Sequence, residues 1–388
     1  MKKRMTAFLL LLLMLCLAFS GCDSGPPEKT PPPPDIAVPP EVIPAPETPP
    51  KKVGISLPEK NLRYWERSGT LMRLKLEAKG FAVDLRYAGN DVDIQASQVE
   101  DLIESGCELL IITAIDSGAS KEHSAFNKAL ESARDKGLPI ISHARLISAT
   151  DALSYFVTFD YMDAVLAHVK YIEDELNLKN SPGAFNIEIF GGDSSPGNEF
   201  SDFSKFFVAY LQTYLDSGKA VIPSGQVEIR DTGIDGYETE AARTRMDELI
   251  SSQGYGPGGK KLDAVVCASD SIAQGVTQAL LGAGYASDNF PIVTGWGCDS
   301  KSVKNILNGT QAMSLYSNTN KLAERTVTMA ESILKGKKPE TNWPEGYHNG
   351  VKTVPTYACD FDIVTKKNYL ELLVTSRYYT QEEIDIIS

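Results

Sequence analysis

The feature that most constrains the fold of this chain is a regular alternation of short apolar segments with longer amphipathic segments after residue 51. The apolar run at residues 109–114 predicts a strand buried on both faces of a parallel sheet. The amphipathic segments at 64–79 and 93–105 have helical spacing and end next to Gly80 and Gly106. This β-α-β rhythm predicts a parallel sheet covered by helices.

The same rhythm restarts after Tyr161 and continues to an apolar run at 291–295. Two such series predict an α/β protein of two doubly wound parallel-sheet lobes. Because another strand and two helices follow residue 300, we expect each lobe to be assembled from two pieces of chain. We predict a first lobe from residues 51–160 plus 296–346 and a second lobe from residues 161–295 plus 347–388.

Length and charge exclude several classes of protein. The 388 residues are enough for two cores of ordinary domain size. With 38 Lys and Arg against 51 Asp and Glu, the formal net charge is −13, so the surface should repel phosphate backbones. Nucleic acid is therefore not expected as a partner.

The N-terminus has the pattern of a lipoprotein signal. A basic segment at residues 1–4 precedes an apolar segment at 8–17, and small residues lead to Cys22. We predict cleavage after a signal peptide of residues 1–21, with fatty acids such as palmitate attached at Cys22. An ordinary cleaved signal peptide and an uncleaved anchor are the alternatives.

A proline-rich segment follows the predicted lipidation site. Residues 22–50 hold runs such as the four prolines at 31–34, which favour an extended polyproline II conformation. We interpret this segment as a stalk between the lipid anchor and the globular part.

The sequence has no pattern that is typical of an enzyme. The histidines are not at metal-ligand spacing from one another or from a cysteine pair, and no nucleophile-elbow or phosphate-loop motif occurs. We therefore predict no catalytic residues, no metal and no cofactor, and a hydrolase is the enzyme alternative. These histidines are His123, His143, His168 and His348.

Four cysteines fall in the globular part. They are Cys107, Cys267, Cys298 and Cys359. Because most lie in or beside apolar strand-like runs, we expect free buried thiols. The extracytoplasmic location also permits one bridge, for which Cys298 and Cys359 are the candidates.

An ordered set of short motifs resembles the multiple-sugar and xylose-binding periplasmic receptors. The resemblance extends from about Lys51 to about Tyr378. It rests on residues 52–55 with Trp65, 87–88, 95–98, 115–116, 145–147, 158–160, 185–192, 349–352 and 354–355. This likeness implies a type I periplasmic binding protein, with a three-strand hinge whose crossings lie near Asp160, Gly295 and Tyr347.

The resemblance also implies which side chains bind the ligand. Trp65 would stack on a sugar face and Arg145 would donate a forked pair of hydrogen bonds. The other implied residues are Asp116 and Asp270 as hydroxyl acceptors, Asn198 as a bidentate amide and Tyr237 as the aromatic residue of the second lobe. Trp65 is alternatively a core residue, and Asp116 and Asp270 are alternatively helix caps.

Four positions depart from the charged pattern of these receptors. Tyr64 replaces an Arg, Ala144 and Gly297 each replace an Asp, and Asn318 replaces the Asp of a Lys-Asp-Thr motif. Each lost charged hydrogen bond costs about 1.5–3 kcal/mol, so unmodified glucose and xylose should bind more weakly than ligands with fewer hydroxyls. We include Tyr64 and Asn318 as candidate contacts, with His143 and Asp299 as nearby polar groups.

These observations together predict an extracytoplasmic solute-binding lipoprotein. It would capture a monosaccharide or a derivative between two lobes and present it to an ABC permease or a sensor, as a monomer anchored through Cys22 to a bacterial membrane. A receptor for a nucleoside or signal molecule, and a sensory or interaction lipoprotein that has lost ordinary sugar binding, are the alternatives.

Overall fold

Two sheets organise the residues that the computed structural model describes, namely 49–115, 124–194 and 202–387. The predicted signal peptide, Cys22 and the proline-rich segment up to residue 48 lie outside these residues. The strands are β1 Lys52–Leu57, β2 Ala82–Tyr87, β3 Leu109–Ile112, β4 Ile140–His143, β5 Tyr155–Phe159, β6 Phe185–Phe190, β7 Ala220–Val221, β8 Ala264–Cys267, β9 Ile292–Trp296, β10 Met313–Tyr316, β11 Trp343–His348, β12 Thr353–Cys359 and β13 Asp362–Thr365.

Helices flank both sheets. They are α1 Arg63–Ala78, α2 Val92–Glu104, α3 Ala125–Asp135, α4 Tyr161–Glu175, α5 Phe203–Asp216, α6 Ile229–Thr232, α7 Thr239–Gln253, α8 Asp270–Gly282, α9 Ser300–Asn308, α10 Thr319–Leu334 and α11 Gln381–Ile387. A 3-10 turn at Asp235–Tyr237 and a π-helical turn at Leu370–Thr375 accompany them. None of the helices in this described part of the chain has the length and apolarity needed to span a bilayer.

The first sheet has seven strands in the order β11-β12-β5-β4-β3-β1-β2. Its pairings are parallel except for β11 with β12. Strand β3 is buried along its whole length because α2 and α3 cover one face of the sheet and α1 and α10 cover the other. The predicted doubly covered strand is confirmed.

The second sheet has six strands in the order β13-β10-β9-β8-β6-β7, and only β13 pairs antiparallel. Buried side chains of α4, α5, α7 and α8 form its main core, with Phe203 and Phe207 among the largest. Two parallel-dominated sheets flanked by helices confirm the predicted fold class.

The sheets divide the chain differently from the predicted lobe bounds. Strand β10 pairs with β9, so the chain between 296 and 316 belongs to the second sheet rather than to the first lobe. Strands β11 and β12 belong to the first sheet, so residues 347–359 are not part of the second lobe. A strand-helix pattern gives the order of elements but not the sheet that each strand joins, and these bounds are corrected accordingly.

Three crossings connect the two sheets. They lie at Asp160, between β5 and α4, at residues 317–318, between β10 and α10, and at residues 360–361, between β12 and β13. The first agrees with the predicted crossing, whereas the other two replace the predicted crossings near Gly295 and Tyr347. The hinge therefore has three connecting segments, as predicted, but two of them lie at other positions in the sequence than the predicted ones.

The cysteines of the described residues are free. Cys107, Cys267, Cys298 and Cys359 are all buried thiols, and Cys298 and Cys359 are not bridged. Burial raises the pKa of each thiol, most strongly for Cys267 and Cys298, which keeps these side chains neutral. They therefore act as small packing residues.

Candidate ligand-binding cleft

A cavity of about 200 Å³ opens between the two lobes, beside the carboxyl ends of strands from both sheets. Open α/β folds bind ligands at this edge. Six of its ten lining residues are aromatic and one, Arg145, is charged, so the wall offers mainly ring surface. The lining residues are Tyr64, Trp65, Ala144, Arg145, Thr158, Phe159, Tyr161, Trp296, Ser317 and Phe361.

The back of the cavity is the hinge itself. Phe159 and Tyr161 flank the first crossing, Ser317 lies in the second and Phe361 lies in the third. The rings of Phe159 and Phe361 are in contact, with centroids 4.9 Å apart. A ligand in this cavity would therefore touch the segments that must change when the lobes rotate.

Tyr161 and Phe361 line the cavity but are not among the site residues predicted from the sequence. Both follow an acidic residue directly, Asp160 and Asp360, and Asp160 caps α4 by accepting a hydrogen bond from the Met162 amide. An aromatic residue next to a predicted crossing is a signal that could have identified Tyr161. The same signal does not identify Phe361, because no predicted crossing lies next to it.

Helix α1 supplies Tyr64 and Trp65. Trp65 is only 6% exposed, its ring meets the edge of Tyr64 at a centroid distance of 4.7 Å, and the Arg145 guanidinium lies 5.0 Å from its centroid. Trp65 therefore combines the two roles considered for it, since it packs into the lobe and also lines the cavity.

Arg145 is oriented by the backbone. Its Nη1 donates hydrogen bonds to the carbonyls of Ala114, at 3.2 Å, and Ile115, at 2.9 Å. The preceding residue, Ala144, has a positive φ of 64° at the turn after β4, which directs the chain toward the cavity. The guanidinium is thus held in place before a ligand arrives, which lowers the entropic cost of binding.

His143 lies beneath the cavity rather than in it. Its two ring nitrogens are 2.7 Å from Ser68 Oγ and 2.8 Å from Thr326 Oγ1, and the residue is fully buried. Burial lowers the pKa of His143 to about 3, so the imidazole is neutral. It joins α1, β4 and α10, and the expectation that it adds a polar group near the ligand is corrected.

Asp270 also lies behind the cavity wall. It is 2% exposed, and its carboxylate accepts hydrogen bonds from Ser314 Oγ at 2.8 and 3.0 Å, Gln311 Nε2 at 3.2 Å and the Asp299 amide at 3.0 Å. Burial, with the charge of Asp299 nearby, raises its pKa to about 7. These bonds hold Asp270 within the second lobe.

Two further candidates lie outside the cavity lining. Tyr237 ends a 3-10 turn with a φ of 56°, and its carbonyl accepts a hydrogen bond from Ser271. Asn318 caps α10 through its side-chain oxygen and donates from Nδ2 to Asp362 at 2.8 Å. The other two candidates, Asp116 and Asn198, lie outside the described residues.

The cavity can bind a ligand through stacking and hydrogen bonds. Thr158 and Ser317 add hydroxyl groups to the guanidinium of Arg145, and the aromatic rings supply apolar contact. Within residues 49–115, 124–194 and 202–387, no group of three or more His, Cys, Asp or Glu side chains could hold a metal ion.

The chain is similar to known sugar-binding proteins. It is 35% identical over 334 residues to a multiple sugar-binding periplasmic receptor of Rhizobium radiobacter, which covers 86% of this chain and 92% of that protein. It is 27% identical to a D-xylose-binding periplasmic protein of Haemophilus influenzae, over 86% and 92% of the two chains.

A solved structure is similar as well. An ABC transporter solute-binding protein of Clostridium phytofermentans with bound β-D-glucose is 40% identical, with a TM-score of 0.68, over 86% of this chain and all of that chain. A family model described as a periplasmic binding protein domain matches residues 53–338. Those residues include most of both lobes and all but one of the residues that line the cavity. The chain therefore belongs to the family of periplasmic binding protein domains.

Proposed function

We propose that this protein is an extracytoplasmic receptor that captures one monosaccharide between its lobes and delivers it to an ABC importer. The observation that carries this proposal is the cavity at the hinge, where six aromatic rings and the fixed guanidinium of Arg145 converge. Relatives named for multiple sugars and xylose, and a similar receptor with bound glucose, support the same class of ligand.

The chemistry of the wall suits a pyranose. A sugar ring has C–H faces that contact aromatic rings, while each hydroxyl needs a hydrogen-bond partner once water is excluded. Arg145 donates, Ser317 Oγ accepts from the Trp296 indole and is able to donate onward, and Thr158 adds a further oxygen. These groups match a ligand with both apolar faces and hydroxyls.

The size of the cavity favours a single sugar ring. Its volume of about 200 Å³ is below the roughly 300–1,000 Å³ of sites for larger ligands. An oligosaccharide would have to displace the aromatic wall, so we propose a free monosaccharide or a simple derivative.

We assign direct contacts to the side chains that line the cavity. Tyr64 and Trp65 would contact the sugar faces and Arg145 would donate to hydroxyls. Asp116, Asn198 and Tyr237 remain predicted contacts from the resemblance, and we propose that Asp270 and Asn318 act from behind the wall.

We further propose that the receptor performs no chemical step and works at a membrane surface. Lipidated Cys22 and the proline-rich stalk would hold the monomeric lobes near the permease that receives the sugar. A membrane sensor remains the second candidate for this partner.

Titration calorimetry of the full chain with glucose, xylose and 6-deoxyglucose tests the proposal. We expect all three to bind, with 6-deoxyglucose the tightest because of the four lost charged positions. Arg145→Gln should weaken binding at least about tenfold, because a charged hydrogen bond is lost. Arg243→Gln, on the exposed surface of α7, is the matched control. The absence of binding by all three sugars would contradict the proposal.

A further inference from the structure

One side chain in the cavity wall contacts a residue in or beside each of the three crossings. The indole of Trp296 stacks on Tyr161 at a centroid distance of 6.0 Å and an interplanar angle of 24°. It meets Phe361 edge-on at 4.9 Å, and its Nε1 donates a hydrogen bond to Ser317 Oγ at 3.1 Å. These three partners come from the first, third and second crossings, respectively.

This placement joins the ligand to the hinge. The lobes can rotate only through changes in backbone torsion at the crossings, so rotation must change at least some of these contacts. Trp296 is half-buried and lines the same cavity as Trp65 and Arg145. We propose that Trp296 couples contact with the ligand to movement of the hinge, and that it thereby determines which sugars close the lobes.

Asp270 and Ser314 contact the backbone on either side of Trp296. Gly295 lies so close to Asp270 that an added Cβ would be 2.2 Å from Oδ1. Gly297 has a φ of 133° and Cys298 a φ of 54°, so the turn after Trp296 adopts a conformation that few residues take up. Asp270 accepts the Asp299 amide, and Ser314 Oγ accepts the Cys298 amide at 3.0 Å.

Asp270 is therefore a positioning residue for Trp296. Its carboxylate and Ser314 Oγ accept hydrogen bonds from the consecutive amides of Asp299 and Cys298, and Ser314 Oγ also donates to the carboxylate at 2.8 Å. The same arrangement accounts for Gly297, the position at which the resemblance to sugar-binding receptors implies an Asp. A carboxylate side chain there would adopt a strained φ and would approach Asp270, since an added Cβ lies 3.5 Å from Oδ2.

The indole also sets a preference among sugars. Its one donor is already bonded to Ser317, so it presents ring surface and no acceptor to a ligand. A hydroxyl directed at this ring loses its water without gaining a partner. This part of the inference rests on the proposed sugar-binding function, whereas the coupling to the hinge does not.

Interlobe distances measured by pulsed electron spin resonance test the coupling. Spin labels are attached at Glu77→Cys in α1 and Glu248→Cys in α7, both exposed, in the full chain with Cys16→Ser and Cys22→Ser. The four remaining cysteines are buried, which directs the labels to the introduced sites. We expect Trp296→Ala to broaden or shift the interlobe distance distribution of the ligand-free receptor, relative to the same labelled receptor with Trp296.

The matched control is Trp343→Phe. Trp343 stacks on Tyr347 at 5.9 Å in the first lobe and does not line the cavity, so its replacement should leave the distances unchanged. An identical distribution with and without the Trp296 indole would overturn the inference. If the receptor with Trp296 binds no sugar but Trp296→Ala alters the interlobe distances, the proposed ligand is wrong and the coupling stands.

Selectivity provides the second readout. In Trp296→Gln, whose amide can bond to a hydroxyl, the ratio of affinities for 6-deoxyglucose and glucose should move toward one by at least about threefold. Asp270→Ala should change the same ratio. Ser204→Ala, which breaks the buried 2.6 Å contact with Thr232 in the same lobe, should lower stability without changing the ratio. An unchanged ratio in Asp270→Ala would exclude the positioning role.

Discussion

The phenolic hydroxyl of Tyr379 donates a hydrogen bond to the backbone carbonyl of Cys298, at 2.9 Å. This bond joins the C-terminal segment to the turn that follows Trp296. The same segment is held to α1 of the first lobe, because Arg63 donates to the Tyr378 carbonyl at 2.7 Å and Arg67 donates to the Ser376 carbonyl at 2.8 Å. Residues 376–379 thus touch both walls of the cleft outside the three crossings.

We expect Arg63→Ala to accelerate release of a bound sugar. The substitution removes the bond to Tyr378, the ion pair with Glu383 and the contact with the Tyr379 ring, at 4.8 Å, while leaving the cavity wall in place. The partly exposed ion pair contributes little, so the release rate should rise roughly three- to tenfold, the effect of about one hydrogen bond. Stopped-flow tryptophan fluorescence measures this rate.

Arg73→Ala is the control for this experiment. Arg73 lies on the exposed face of the same helix, away from residues 376–379. Equal release rates for Arg63→Ala and the unaltered receptor would show that the C-terminal segment does not restrain the lobes.

Gly295→Ala should destabilise the second lobe. The added methyl group would lie 2.2 Å from Asp270 Oδ1 and 2.6 Å from Gln311 Nε2, so a buried hydrogen-bond network would have to move. We expect a loss of about 1–3 kcal/mol in the free energy of unfolding, measured by denaturant titration. Gly183→Ala is the control, because its methyl group would meet nothing within 4 Å. A neutral effect at Gly295 would mean that this network relaxes easily.

Asp270 should make stability depend on pH. Its pKa is raised from 3.8 to about 7 by burial and by Asp299, so between these values the folded protein holds a proton that the unfolded chain has released. The resulting stabilisation is present below about pH 4 and is lost as the pH rises to about 7. The thiols of Cys267 and Cys298 nearby stay neutral because their pKa values are raised by burial.

Asp270→Asn tests this expectation by thermal unfolding at about pH 5 and about pH 8. We compare the melting temperature of the unaltered protein with that of the variant at each pH. The unaltered protein minus the variant should be larger at the lower pH, by at least about 2 °C. The same difference at both values would place the titration of Asp270 outside this range.

Cys22→Ser should separate the receptor from the membrane. Without the thiol no acyl chains can be attached, and the protein should appear in the soluble fraction or keep its signal peptide. Fractionation with radiolabelled palmitate measures both outcomes. Cys16→Ser, inside the predicted signal peptide, should leave labelling unchanged. Normal processing and membrane retention of Cys22→Ser would rule out the lipoprotein assignment.

Local pattern was sufficient to predict much of the fold. The apolar run that forms β3 and the helical spacing of α1 are visible within short windows, because burial on one or both faces fixes which positions are apolar. Trp65 was identified through the resemblance, and its position at the start of α1 follows from the strand-loop-helix order.

Contacts between distant residues were not predictable in this way. His143 is neutral because it is fully buried, and the two hydroxyl groups that contact its ring, Ser68 and Thr326, are 75 and 183 residues away in the chain. Asp270 follows a strand, as a ligand-binding acid would, but Ser314 at a separation of 44 residues occupies its carboxylate. The sequence pattern alone does not show which acid at a strand end is already bonded.

The interleaved lobes have a consequence for synthesis, which proceeds from the N-terminus. The first sheet begins with β1 but gains its cover α10 and its strands β11 and β12 only when residue 359 has been made. Until α10 has been made, residues such as Met72 and Leu76 form an apolar face that cannot pack against Leu322 and Val327. The second sheet, apart from β13, is encoded without interruption between β6 and β10. The lobe whose first strand is made earliest is therefore the one whose core waits for the later part of the chain.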